Sequence, residues 1–115
     1  MNSISPHLQN QIAQFQQLQQ QLQAVSSQKI QMEAQLKEVE RTMEELDKAA
    51  GDVYKNVGSL MIKVNDKEAV KMELEESKET LEVRIKSMDR QEKNLREKYT
   101  EMQNTINAAM GKQSQ

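Results

Sequence analysis

DVYKNVGSLMIKVN, residues 52–65, is a β-patterned stretch inside a sequence that otherwise reads as helix. Val53, Lys55 and Val57 alternate with Tyr54 and Asn56; Leu60, Ile62 and Val64 alternate with Met61 and Lys63. Gly58-Ser59 separates the two runs. A two-residue loop opening on glycine predicts a β-hairpin with a type II′ turn, Gly58 taking the positive φ. Pairing around that turn sets 57 opposite 60, 55 opposite 62 and 53 opposite 64. One face then carries Val53, Val57, Leu60, Ile62 and Val64, with Lys55 its polar member. The other carries Tyr54, Asn56, Met61 and Lys63. An isolated two-stranded ribbon is marginal in water, and its edges are open. Its apolar face needs a cover, from the chain's own helices or from another subunit. Oligomerisation is the reading preferred here.

Outward from the hairpin, both flanks carry a seam. Before it, Ile4, Leu8, Gln11, Phe15, Leu18, Leu22, Val25, Lys29, Met32, Leu36, Val39, Met43 and Leu46 follow steps of four and three, and eleven of these thirteen are apolar. That pattern, held over six heptads, is the signal for a coiled coil. Ser5 is placed to cap the helix and Pro6 to occupy its first position. No glycine or proline follows until Gly51, which stands where a C-terminal glycine is expected. After the hairpin, Asn65 and Glu68 have the spacing of a capping box. The second seam runs Leu74, Lys78, Leu81, Ile85, Met88, Glu92, Leu95, Tyr99, Met102, Ile106, eight of ten apolar. Gly111 and a polar tail are expected to end it.

The chain thus reads as mainly α: an antiparallel two-helix coiled coil joined by a single β-hairpin, within one domain over 1–115. Helix 1 is expected at about 5–50, the hairpin at about 52–65, helix 2 at about 66–110 and the tail at 111–115. Each helix would be roughly 65 Å long at 1.5 Å per residue. Folding 49 against 66 brings the termini together at the far tip. Lys29 and Glu92 interrupt the seams about 9 Å apart along the axis on that register. They are read as register markers whose charges snorkel to water rather than as an ion pair.

Composition excludes several classes. Of 115 residues 30% are charged and only 3% aromatic, with no tryptophan. A globular core is poorly supplied, whereas long helices are well supplied. The net charge of −2 speaks against phosphate-driven nucleic-acid binding. Absence of cysteine removes disulfides and thiolate metal sites. Neither a leader nor an 18-residue apolar run is present, so a soluble, cytoplasmic protein without membrane contact is expected. His7 is the one histidine and stands near a helix end; the pairs Glu44-Glu45 and Glu75-Glu76 stand on exposed helical positions. No nucleophile–base set, phosphate loop or ligand cluster appears, so neither catalysis nor a cofactor is expected. Residues 1–28 hold no Lys, Arg, Asp or Glu and ten glutamines. The second helix is instead densely charged with both signs.

Helix, hairpin and helix at this length, with VYKNVGSLMIKV between the helices and LEVRIKSMDRQEKNLREK in the second, resembles the beta-class subunits of prefoldin. Prefoldin is the holdase chaperone of archaea and eukaryotes. The single hairpin is the beta-class pattern, and the short tail resembles an archaeal subunit more than a eukaryotic one. The resemblance implies assembly of two alpha and four beta subunits through an intersubunit β-barrel. It also implies ATP-independent capture of unfolded or nascent proteins at the coiled-coil tips and transfer to a group II chaperonin. Carried to this sequence, assembly falls on Val53, Tyr54, Val57, Gly58, Leu60, Ile62 and Val64. Client binding falls on Ile4, Leu8, Ile12, Phe15, Met102, Ile106 and Met110. Ile12 is off the seam and is expected to be exposed; Phe15 is on it and reads first as core. The alternative is a structural spacer or tether that dimerises through the hairpin and needs no client.

Overall fold

The computed structural model describes residues 4–113 of the chain, without the side chains of 112 and 113. The order of elements is α1 (Pro6–Lys48), β1 (Val53–Val57), β2 (Leu60–Val64) and α2 (Lys67–Gln113). The chain is mainly helical, two long helices joined by an antiparallel hairpin, as the periodicities predict.

Each helix end has an identifiable cause. The Leu8 amide donates to Ser5 Oγ at 3.1 Å, and Pro6 is the first helical residue, as expected. At the start of α2 the cap is one residue later than expected. The Ala69 amide donates to Asp66 Oδ1 at 3.2 Å, and Asp66 rather than Asn65 is the N-cap. Glu68 falls in the first turn, where its charge suits the helix dipole. The end of α1 also differs. Ala49 and Ala50 already lie outside the helix, and Gly51 does not adopt a positive φ. The Ala49 carbonyl instead accepts a hydrogen bond from Lys67 Nζ at 3.0 Å. A lysine from the next helix replaces the left-handed glycine as the C-terminal cap. α2 runs on through Gly111.

The chain divides into two compact units. The first comprises α1 up to Lys29 with α2 from Ser87 onward; the second comprises residues 30–86. In the first unit Leu8, Leu18 and Ile106 are buried, and Leu22, Val25, Met88, Leu95, Tyr99 and Met102 are half-buried. In the second, Leu46 is buried and Met32, Leu36, Val39, Met43, Leu74, Leu81 and Ile85 are half-buried. Every seam position from Leu8 onward, on both helices, is buried or half-buried. Half-burial is what two helices alone can achieve, since each seam residue is covered from one side.

The first unit holds an ion-pair cluster that corrects one expectation. Lys29 Nζ lies 2.6 Å from Asp89 Oδ1 and 3.4 Å from Glu92 Oε1. Ser26 Oγ donates to Glu92 Oε2 at 2.7 Å, and Arg96 Nη2 stands 3.6 Å from Oε1. The two seam charges do not snorkel apart. The flexible lysine stem crosses the stagger, and Ser26 draws the glutamate inward, so its side chain is only 14% exposed. The Ser26 hydrogen bond, then those of Lys29 and the nearby positive charges, hold the Glu92 carboxyl below its ordinary range against the opposing effect of burial. Lys29 is held above its ordinary range, chiefly by Asp89.

Candidate functional site

In the second unit the hairpin has the expected register: Val53↔Val64, Tyr54↔Lys63, Lys55↔Ile62, Asn56↔Met61 and Val57↔Leu60. Gly58 has φ +61°, and among the described residues no other takes a positive φ. A type I′ turn would need Ser59 there too, so the turn is of the II′ kind. The sheet has two strands, so each presents one unpaired edge.

The hairpin only partly folds back on its helices. Val53 and Val64, at its base, are half-buried. They border a recess of about 490 Å³ that Leu46, Val70 and Leu74 also line. Beyond them, large apolar side chains stand in the open: Val57 is 50% exposed, Ile62 48%, Tyr54 54%, Leu60 64% and Met61 71%. Met61 is missing from the sequence-derived assembly set, yet it is the most exposed of these residues. Its place in the strand alternation, on the face opposite Ile62, was the signal that could have included it. Lys55 Nζ reaches Glu73 Oε2 at 3.2 Å, and Lys63 Nζ lies 3.7 Å from Asp52 Oδ1. Both lysines thus have carboxylate partners, which limits the charge repulsion a covering surface would meet.

The other candidate residues lie together in the first unit, at the ends of α1 and α2. Leu8 is 2% exposed and Ile106 is buried with it. Phe15 is half-buried against Tyr99, ring centroids 4.7 Å apart and planes tilted by 31°. Met102 is half-buried, while Ile4 and Met110 are exposed. Ile12 is half-buried, not exposed as expected. At 100° per residue it stands 40° round the helix from Leu8, within the breadth of an ordinary apolar stripe. Beside this group runs a groove of about 370 Å³ lined by Gln11, Gln14, Gln17, Leu18, Gln21 and Met102. Among the described residues no group of three or more His, Asp or Glu is arranged to hold a metal ion.

The prefoldin subunit family matches this chain over residues 9–113. The chain belongs to the prefoldin family. Within it the likeness is to beta subunits. The prefoldin subunit beta of Methanosarcina acetivorans is 45% identical over 116 residues, covering 99% of this chain and 98% of that protein. That of Archaeoglobus fulgidus is also 45% identical, with 99% of each chain covered. The crystal structure of the prefoldin beta subunit from Thermococcus strain KS-1 superposes with a TM-score of 0.82 at 39% identity, over 95% of this chain and 96% of that one. Prefoldin is a chaperone family, not an enzyme class. Among the described residues no helix is long and apolar enough to cross a membrane.

Proposed function

We propose that this prefoldin-family chain is the beta subunit of a cytoplasmic, ATP-independent holdase. It assembles through its hairpin with alpha-class and other beta-class subunits, two alpha to four beta. It binds unfolded or nascent proteins at the ends of its helices and passes them to a group II chaperonin. No catalysis or cofactor enters this cycle.

The observation that carries the assembly half is the hairpin's exposed apolar surface. Tyr54, Val57, Leu60, Met61 and Ile62 are all about half exposed or more on a ten-residue ribbon. Fully burying each aliphatic side chain is worth roughly 1.5–3 kcal/mol. Hairpins that share edges and apolar faces would close into an intersubunit β-barrel, covering both at once. Val53 and Val64 brace the ribbon at its base, and Gly58 closes it at the turn.

The client half rests on the residues at the ends of α1 and α2. Ile4 and Met110 already face water; Ile12, Phe15 and Met102 are partly covered; Leu8 and Ile106 become available when the helix ends open. Methionines repack against varied partners, which suits clients of unrelated sequence. Each contact is weak, and several subunits acting on one client add avidity.

The test pairs two readouts. Native mass spectrometry with an alpha-class subunit reports assembly, and light scattering of a denatured substrate reports holdase action. Deleting residues 1–10 and 107–115 is expected to remove aggregation suppression and to leave the oligomer mass, less the deleted residues, unchanged. An intact oligomer that suppresses aggregation as well as the full chain would overturn the placement of the client site. Unchanged scattering with the full-length assembly would overturn the holdase reading in favour of a spacer.

A further inference from the structure

The glutamines of the charge-free first quarter of the sequence, residues 1–28, are not used by any role above. In the first unit it forms one wall of the 370 Å³ groove. Gln11, Gln14, Gln17 and Gln21 line it together with Leu18 and Met102. Their spacing places all four on one face of α1, within about 120° of arc at 100° per residue. Their side-chain amides make no hydrogen bond among the described residues, and α1 brings no formal charge to this wall. Across the groove, Lys98 and Glu101 contribute one charge of each sign, so neither acidic nor basic ligands are favoured.

We infer that this groove binds the backbone of extended, unfolded polypeptide, the four glutamine amides pairing with its peptide groups while Leu18 and Met102 take an apolar side chain. The inference rests on the holdase reading and supplies its mode of recognition. A glutamine amide presents both a donor and an acceptor, the same pair that a peptide group presents. From Gln11 to Gln21 the wall rises about 15 Å, the length of four to five extended residues. Peptide groups that point the same way along a strand recur every two residues, roughly 6.6–6.8 Å. The glutamines are three or four positions apart, about 4.5–6 Å, a difference their flexible side chains absorb. Folded proteins have already satisfied their backbone groups, whereas unfolded segments offer them freely. The groove therefore separates clients by folding state rather than by sequence. It also adds a polar mode of binding that apolar contacts at the helix ends do not supply.

The test changes the ligand's backbone and leaves its side chains alone. An unstructured, fluorescently labelled peptide of mixed apolar and uncharged polar residues is titrated with the full-length assembly by anisotropy. Its analogue with esters in place of alternate backbone amides is titrated in parallel. The ester form is expected to bind about tenfold more weakly, since it lacks donors and offers poorer acceptors. In the variant with Gln11, Gln14, Gln17 and Gln21 all changed to Met, which preserves length and helix propensity, the ratio should fall to about one. Gln14→Met and Gln21→Met alone should each lower it part of the way, a check that holds should the fourfold variant lose helicity by circular dichroism. Equal binding of the two peptides by wild type, binding of neither, or a ratio unchanged in the variants overturns the inference. Aggregation suppression by the wild-type assembly, recorded in the same series, separates these outcomes from failure of the holdase reading itself.

Discussion

The ring of Phe15 on α1 packs against the ring of Tyr99 on α2, centroids 4.7 Å apart and planes tilted by 31°. The pair accounts for two of the three aromatic residues of a chain that has one phenylalanine and two tyrosines. Phe15→Ala is expected to cost about 2–3 kcal/mol, under the usual loss for a fully buried ring because Phe15 is half-buried. A double-mutant cycle with Tyr99→Ala should give a coupling of about 0.5–1.5 kcal/mol. Urea unfolding followed by circular dichroism, at fixed protein concentration, measures both. Additive losses would mean that the rings share a location and no specific interaction.

A substitution at Ile62 tests the proposed assembly role separately from folding. It is 48% exposed on the hairpin, so a charge there meets water in the lone subunit. Ile62→Asp is expected to abolish the hetero-oligomer while helical content stays near wild type. Native mass spectrometry and far-ultraviolet circular dichroism report the two. Assembly at wild-type affinity would remove the hairpin from the interface.

The cluster around Glu92 fixes a pH window. Glu92 is depressed below its ordinary value of 4.5, first by the Ser26 hydrogen bond and then by Lys29. Its contribution is therefore present above about 4.5 and is lost as the pH falls through the lower, folded value. Lys29 is raised above its ordinary 10.5, first by Asp89. Its contribution is complete below that value and is lost as the pH rises through the higher, folded one. Between these limits the cluster is intact. Ser26→Ala should raise the Glu92 titration midpoint, read by carboxyl-carbon NMR, and Glu92→Gln should flatten the acid limb of stability. A midpoint that Ser26→Ala leaves unmoved would show that the serine does not set it.

Gly58 tests the turn. Its φ is +61°, and open space surrounds the point where a β-carbon would stand, so strain and not crowding is the obstacle to substitution. Gly58→Ala should cost about 1–2 kcal/mol, Gly58→Asn less and Gly58→Val more. Amide hydrogen exchange of residues 53–64 reports the order. Equal protection in all three variants would reject a strained turn.

How much could be read beforehand depended on how local each signal is. Strand alternation around Gly58-Ser59 gave the register because each pairing follows from the turn. Both seams were legible because a three-four spacing is written in one dimension. The caps between helices and hairpin were not. Asn65 and Asp66 are equally good capping residues, and the one used depends on where the chain bends after the ladder ends. The close of α1 at Lys48 reflects Lys67, eighteen positions beyond Ala49, which no local pattern announces. The ion pairs of Lys29 with Asp89 and Glu92 likewise depend on stagger, which seam spacing leaves free by several ångströms. Ile12 is half-buried although it lies off the seam, because a seam marks the centre of a stripe and not its width. For the candidate site, alternation and periodicity located the residues; whether a side chain stands in the open, as Met61 does, depends on what the helices leave uncovered.

Lys67 and Lys71, one turn apart on α2, grip the Ala49 carbonyl and Asp47 Oδ1 at 3.0 and 3.2 Å. These two clasps close the chain into a loop at the base of the hairpin. What lies between Ala49 and Lys67 is thereby a cassette, bolted at its mounting points and free in its content. Lengthening the loop at Ser59 should loosen the helices little, since loop-closure entropy grows only with the logarithm of length, about 0.6 kcal/mol per doubling. On the proposed assembly through the hairpin, a family built on such a cassette can change which subunits recognise one another by rewriting a dozen residues, and both helices can stay as they are.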